Sequence, residues 1–209
     1  MSNKILCLGS SGTGKSSSLR NLDEKETFVL QCVEKRLPFK GSSSKYNKDN
    51  KNLFHTKSID TTIEILKRIN SNPGIKTVII DDFNYLMTYG YKLKAKEKGF
   101  EKFENLAFGI MDILEYCDTM RDDLNIYFMA HTQSDQDGNV STKTIGKFLD
   151  EKLCIEGLFT IVTLSLGSVN GYKFVVNGTT PAKSPMEMFE TSEVENDLNL
   201  INETIKNYY

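Results

Sequence analysis

The chain has 209 residues, enough for one domain with an appendage and too few for two full domains of about 150 residues each. Lysine and arginine number 26 against 28 acidic residues, a formal net charge of −2 that excludes a globally basic nucleic-acid coat but leaves local patches open. With 39% hydrophobic and 26% charged residues the composition is that of a folded globular chain, not a disordered one.

In chain order, short apolar runs alternate with helical patterns. Residues 4–8 read as a strand, followed by a Gly/Ser loop and a helix over about 15–21. Residues 27–33 are a second strand, and the Ser/Asn-rich, basic stretch 38–52 reads as a long loop. The next helix opens at a Thr61-x-x-Glu64 capping box, carries Ile63, Leu66 and Ile69 on one face, and stops at Asn72-Pro73-Gly74. A β-branched strand over 76–81 ends in two acids. Helices follow over about 84–98 and 103–120, the second with Phe103, Ala107, Ile110, Leu114 and Cys117 on one stripe. Residues 124–130 are a strand that stops at His131-Thr132-Gln133, and 134–143 is polar. The segment 135–139 has the look of a calcium loop, but its spacing fails that pattern and it reads as a turn. Strands 158–165 and 172–177 are joined through Asn170-Gly171, a hairpin signal. The chain closes on a helix with Leu198, Ile201, Ile205 and Tyr208 on one face. Strands alternating with helices, then a hairpin, predict a three-layer α/β fold around a mostly parallel sheet. The expected organisation is a core over 1–190 and an acidic C-terminal helix over 191–209.

Cys7, Cys32, Cys117 and Cys154 form no C-x-x-C pair, and three lie in apolar runs, so reduced thiols in a cytoplasmic setting are expected. No apolar stretch reaches the roughly 18 residues of a membrane span, and the N-terminus does not read as a signal peptide. No membrane partner is expected.

Gly9-Ser10-Ser11-Gly12-Thr13-Gly14-Lys15-Ser16 matches G-x-x-x-x-G-K-[ST] at every defined position. In such a loop the glycines let successive backbone N–H groups point at phosphate oxygens, the lysine reaches the β- and γ-phosphates, and the serine hydroxyl ligates Mg²⁺. A flexible Gly/Ser turn is the plainer reading, but the strand before and the helix after it favour phosphate binding. The candidate ATP-binding residues are Ser10, Ser11, Gly12, Thr13, Gly14, Lys15, Ser16 and Ser17. Thr77-Val78-Ile79-Ile80-Asp81-Asp82 delivers two carboxylates at a strand's C-terminal end, where open α/β sheets bind ligands. Asp81 is expected to hold Mg²⁺ opposite Ser16, and Asp82 to orient the attacking water, with Glu34 as its competitor. Gln133 or His131, at the end of the next strand, is the candidate sensor of the γ-phosphate.

Charge is unevenly placed. From Lys35 to Lys57 there are seven basic residues and one acid, whereas Ser184 to Tyr209 holds six acids and one base. Two solvated surfaces would explain this, and so would local binding of a polyanion. Lys35, Arg36, Lys40, Lys45, Lys48, Lys143 and Lys147 are the candidate DNA phosphate contacts, with Tyr46, Phe54 and Phe148 as stacking surfaces for unpaired bases.

The order of these motifs resembles the layout of RecA-like ATPase cores. Leu37-Pro38-Phe39-Lys40-Gly41, the run from Ile80 to Leu86, Lys143-Thr144-Ile145-Gly146-Lys147 and the run from Thr180 to Pro185 are more specifically similar to small phage-encoded RecA-like P-loop ATPases of the AAA-domain type, some of which act in single-strand annealing or recombination. The resemblance implies Mg-ATP-dependent binding of single-stranded DNA, hydrolysis of ATP between subunits, and assembly into rings or filaments. Single-stranded DNA, further copies of the chain and a single-strand-binding protein are the expected partners, and the host cell cytoplasm the expected location. It also implies a cation just after the terminal hairpin that completes a neighbour's site, and Lys183 is the only base between Lys173 and Lys206. Two alternatives stay open, a small-molecule (nucleotide) kinase and an interaction module gated by ATP without turnover. The only arginines, Arg20, Arg36, Arg68 and Arg121, do not make the Arg-rich lid a kinase would use.

Overall fold

Four apolar residues in a row, Ile5 to Leu8, suit a strand covered on both faces. The computed structural model describes residues 1–94, 101–145 and 154–209, and in it β1 (Asn3–Leu8) runs through the middle of a sheet that has eight strands among the described residues. The order across it is β10 (Glu193–Glu195), β9 (Gly171–Val175), β8 (Ile161–Ser168), β1, β5 (Asn125–Ala130), β4 (Thr77–Asp81), β2 (Thr27–Gln31) and β3 (Leu53–His55). From β8 to β3 all neighbours are parallel, while β9 and β10 run antiparallel at one edge. The register sets Asn3, Asn125, Thr77 and Thr27 side by side at one end, so the strands finish together at the other.

Side chains alternate across the sheet and feed two cores. Leu6, Leu8, Ile80 and Phe128 meet α2 (Ile59–Asn70), α3 (Asn84–Leu93) and α4 (Glu101–Asp118) through Leu66, Leu86, Ile110 and Leu114. Ile5, Cys7, Val29 and Tyr127 meet Leu19 and the C-terminal helix α5 (Leu198–Tyr208), which buries Leu198, Ile201 and Ile205. Each such aliphatic side chain contributes about 1.5–3 kcal/mol by leaving water. Cys7, Cys32 and Cys117 are buried free thiols and Cys154 is an exposed one. Among the described residues no helix is long and apolar enough to cross a membrane.

Several local expectations change. The helix after the Gly/Ser loop is a short 3₁₀ turn, Ser16–Asn21, so no long helix dipole stands behind the loop. Helix α2 starts earlier than the Thr61–Glu64 box: Ser58 is its N-cap and accepts from the Thr61 N–H at 3.3 Å, and Ile65 joins Leu66 and Ile69 in the core. The stretch 38–52 is not one long loop but holds α1 (Ser42–Lys45), and it buries Tyr46, whose ring meets the edge of Phe39. The polar segment after His131 makes a hairpin of β6 (Thr132–Ser134) and β7 (Val140–Thr142), and the Asp135 carboxylate organises its turn by accepting from the backbone N–H groups of Asp137 and Asn139. The helix expected over about 84–98 runs from Asn84 to Leu93 with Lys94 as its C-cap, and residues 95–98 lie outside the described residues.

Candidate active site

The C-terminal ends of β1, β2, β4 and β5 converge on one cavity of about 240 Å³, walled by Ser11, Gly12, Gly14, Lys15, Ser16 and Ser17, with Lys35, Asp82, His131 and Tyr172 facing them. The loop is held from the hairpin side. Ser165 on β8 donates to the Thr13 carbonyl at 2.6 Å, and the Tyr172 ring of β9 lies against Gly14. A side chain at Gly14, whose φ is +93°, would put its Cβ 2.5 Å from the Tyr172 ring, so the position needs glycine for both conformation and room.

Lys15 is only 7% exposed. Its ammonium donates to the carbonyls of Gly9 (2.5 Å) and Ser10 (2.8 Å) within its own loop. Burial pulls its pKa down to about 8, against the opposing charges of Asp82 and Asp81. Ser16 Oγ donates to Asp81 Oδ1 at 2.9 Å, and Gln31 Nε2 donates to Asp81 Oδ2 at 3.3 Å. Burial, and then the neighbouring Asp82 charge, push the Asp81 carboxyl above its ordinary range. A divalent cation would offset both effects. The donors present fit Mg²⁺, which prefers oxygen ligands and keeps most of its shell as water and substrate phosphate. One hydroxyl and one carboxylate converge here, and among the described residues no group of three or more His, Cys, Asp or Glu forms an all-protein cage. Gln31 Oε1, buried beside Asp81 with no hydrogen-bond partner, is a further oxygen at this spot.

Asp82 is 4% exposed, with a left-handed backbone at φ +59°. Lys35 Nζ lies 2.5 Å from its Oδ2 and His131 Nε2 lies 3.3 Å from its Oδ1. Burial alone would raise its pKa, but the hydrogen bonds from His131 and Lys35, with the Lys35 charge, outweigh burial and hold the carboxyl below its usual range. Asp82, Lys35 and His131 also wall a second, larger cavity of about 650 Å³ with Ser10, Tyr85, Thr88 and Lys143. The three residues therefore stand between the two hollows.

Asn84, which the sequence reading did not single out, ties this wall together. Its Oδ1 accepts from the His131 N–H at 2.5 Å and its Nδ2 donates to the Lys143 carbonyl, while the Lys143 N–H donates to the His131 carbonyl at 2.7 Å. An amide at the start of a helix, right after the paired acids, was the available signal. Tyr172 and Ser165 gave none, because their contacts with the loop span more than 150 residues.

Of the two candidates for orienting water, Asp82 faces the loop, whereas Glu34 is exposed and lines a separate hollow of about 430 Å³ with Arg36, Tyr46, Lys48 and His55. Of the two sensor candidates, His131 faces the loop and Gln133 sits on β6 in the hairpin. Lys183 is exposed and bridges Val162 on β8, level with Leu6 and two residues short of the end of β1.

The basic stretch divides. Lys35 is engaged by Asp82, Arg36 also lines the loop cavity, and Lys45 donates to the Arg20 carbonyl at 3.0 Å with Glu24 nearby at 3.8 Å. Lys40 and Lys48 are exposed. Tyr46 is 2% exposed and cannot offer a face to a base, whereas Phe54 is 44% exposed. Lys143 is exposed and lines the larger cavity. Lys147 and Phe148 fall outside the described residues.

No protein-family model matches the chain, and no curated protein matches it. Among solved structures the chain is similar to a prototypical ATPase from the type III secretion system of pathogenic bacteria, at 11% identity and a TM-score of 0.53 over 78% of this chain. The chain spans half the length of that structure. The likeness concerns fold and does not extend to a phage recombination type. A mostly parallel sheet, with the Lys15 loop on its central strand and a terminal antiparallel hairpin, has the RecA-like P-loop fold.

Proposed function

We propose that the chain is a Mg-ATP-dependent ATPase. One observation carries this reading: Ser16 Oγ and Asp81 Oδ1 meet at 2.9 Å at the foot of a loop that buries Lys15, with Asp82 opening on the same cavity. A Gly/Ser turn with no ligand would have no reason to bury an ammonium and two carboxylates together.

The backbone N–H groups from Gly12 to Ser17 would receive the phosphates, and Lys15 would exchange its two carbonyl partners for the β- and γ-phosphate oxygens. Ser16 and Asp81 would hold Mg²⁺, which when bound supplies neutralising charge on those oxygens. Asp82 would orient a water in line with the γ-phosphorus and accept its proton. The water oxygen bonds to that phosphorus as the bond to the β–γ bridging oxygen breaks, and that electron pair leaves on ADP. His131, touching Asp82 and fixed through Asn84 to the Lys143 segment, would carry the state of the γ-phosphate to the rim of the larger cavity.

The finer reading is that ATP turnover serves single-stranded DNA in an assembly of copies, with Lys183 of one copy completing the site of another. Its support is the exposure of Lys40, Lys48 and Phe54, and the exposed setting of Lys183. Such DNA binding would weaken with salt by a slope of roughly 0.7 per phosphate contacted. A phosphotransferase is the second reading, favoured by the cavity of about 650 Å³ beyond Asp82, which has room for an acceptor.

The test is phosphate release with Mg-ATP, with and without single-stranded DNA, for wild type and Lys15→Ala. Turnover abolished by Lys15→Ala and by EDTA is expected. A folded Lys15→Ala protein with normal turnover removes the P-loop reading, and phosphate appearing only on an added acceptor selects the phosphotransferase.

A further inference from the structure

The feature left over from the site is Lys35. It follows β2, far in sequence from both the loop and the paired acids, and its ammonium sits 2.5 Å from Asp82 Oδ2. Its side chain is 42% exposed along the cavity wall while the carboxylate it holds is 5% exposed. Lys35 therefore reaches the pair from the solvent side, and Asp82 from within the fold. Lys15 takes no part in this contact, because its own donors go to Gly9 and Ser10.

Lys35 on Oδ2 and His131 on Oδ1 each take up an acceptor position of Asp82, and the Lys35 ammonium at 2.5 Å makes the carboxylate a poorer acceptor for a proton from water. The acid expected to do the chemistry is thus occupied in the nucleotide-free chain. Lys35 also lines the P-loop cavity beside Lys15 and Arg36, within the volume that must hold the terminal phosphate. An ammonium between one carboxylate charge and a γ-phosphate carrying about two will favour the phosphate, all the more in a partly buried site where attraction is weakly screened.

We propose that Lys35 is a catalytic residue that exchanges Asp82 for the γ-phosphate: the terminal phosphate draws the Lys35 ammonium onto its own oxygens and so frees Asp82 Oδ2 for the attacking water. The inference rests on the ATPase reading above. It reassigns Lys35 from a DNA contact to the reaction itself, supplied by the same copy that holds the loop. ADP, lacking the γ-phosphate, would leave the Lys35–Asp82 pair closed. A cation on the γ-phosphate also stabilises the charge that develops there during transfer.

The experiment is calorimetric titration of Mg-ADP and of a non-hydrolysable ATP analogue into wild type, Lys35→Ala and Lys35→Gln, with phosphate release measured on the same samples. Both variants are expected to bind ADP within about twofold of wild type, which also shows that they fold, and to lose about tenfold or more in affinity for the triphosphate analogue. Turnover should fall about 100-fold, and Lys35→Arg should restore part of it. Variants that keep both the triphosphate preference and the turnover overturn the Lys35 assignment and leave the ATPase reading standing. A rise in turnover overturns it too, because Lys35 would then only restrain Asp82. Wild-type protein that binds neither nucleotide overturns the ATPase reading itself.

Discussion

The two ends of the sheet are built from opposite chemistry. At the C-terminal ends of the strands, Lys15, Lys35, Asp81 and Asp82 are crowded into a partly buried space, and their pKa values are displaced from the ordinary. At the N-terminal ends a cluster of partly buried side chains around the last helix is neutral. Asn3 donates to Asn125 (2.9 Å), Asn125 to Asn202 on α5 (2.8 Å), the Tyr127 hydroxyl to the same Asn202 oxygen (2.7 Å), and Asn202 to Thr77 (3.0 Å). That cluster completes itself: its amides close on one another and dock the last helix. The charged end does not, since Lys15 turns to main-chain carbonyls and Gln31 Oε1 meets nothing. A group of side chains that balances only when an outside charge arrives is a site, and one that balances alone is structure.

The comparison is tested hardest at Asp81. Asp81→Asn should lower Mg-ATP turnover by about 100-fold or more. It should leave the thermal midpoint of the nucleotide-free chain unchanged or higher, since burial disfavours the carboxylate there. A large drop in midpoint would show that Asp81 holds the fold and would erase the distinction between the ends. Next comes Asn202→Leu, which strands the Tyr127 hydroxyl and the Asn125 amide. It should cost about 2–4 kcal/mol in urea unfolding while turnover per folded molecule stays within twofold. Adding Tyr127→Phe should recover part of that loss, because the two residues share one hydrogen bond.

Asn84→Ala probes a neutral residue placed at the charged end. The loss of two hydrogen bonds should cost about 1–3 kcal/mol, with a several-fold drop in turnover as His131 loses its fixed position. Stability loss with unchanged turnover would make Asn84 a structural amide like Asn202. The smallest effect is expected at Asp123, on the surface of the neutral end, where Lys76 and Arg121 each approach within 2.5 Å. The hydrogen bond from Lys76 leads in holding its carboxyl below the ordinary value. The pair's contribution is therefore present above the usual carboxylate range and is lost as pH falls through the lowered pKa. Asp123→Asn should cost at most about 1 kcal/mol at pH 7, and the gap from wild type should close in acid.

Much of this architecture was legible along the chain. The central strands announce themselves as apolar runs, and α4 shows its stripe through Ala107, Ile110, Leu114 and Cys117, all buried. The Lys15 loop and the paired acids have fixed local spacing, so their meeting at Ser16 and Asp81 could be expected. The pieces that escaped depend on distant partners. β3 and β10 are three-residue edge strands, too short to show alternation and defined only by Val29–Gln31 and Lys173–Val175 beside them. Tyr46 looked like a surface aromatic in a basic loop until Leu37 and Phe39 enclosed it. Lys35 looked like one of the seven cations between residues 35 and 57, and only the folded chain shows that it reaches Asp82 at the end of another strand.

The backbone at Asp82 bears on which acid can stand there. At φ +59° a side chain crowds its own carbonyl, and aspartate and asparagine tolerate this best among residues other than glycine, because their short polar groups bond locally. P-loop ATPases commonly place the longer glutamate after the metal-binding aspartate. In this chain Asp82 stands at a main-chain bend with its carboxylate already against Lys35 and His131, and the shorter side chain suits the bend. Lengthening it, as in Asp82→Glu, should therefore not improve turnover. The extra methylene would carry the carboxylate past Lys35 and His131 and require the turn after β4 to relax.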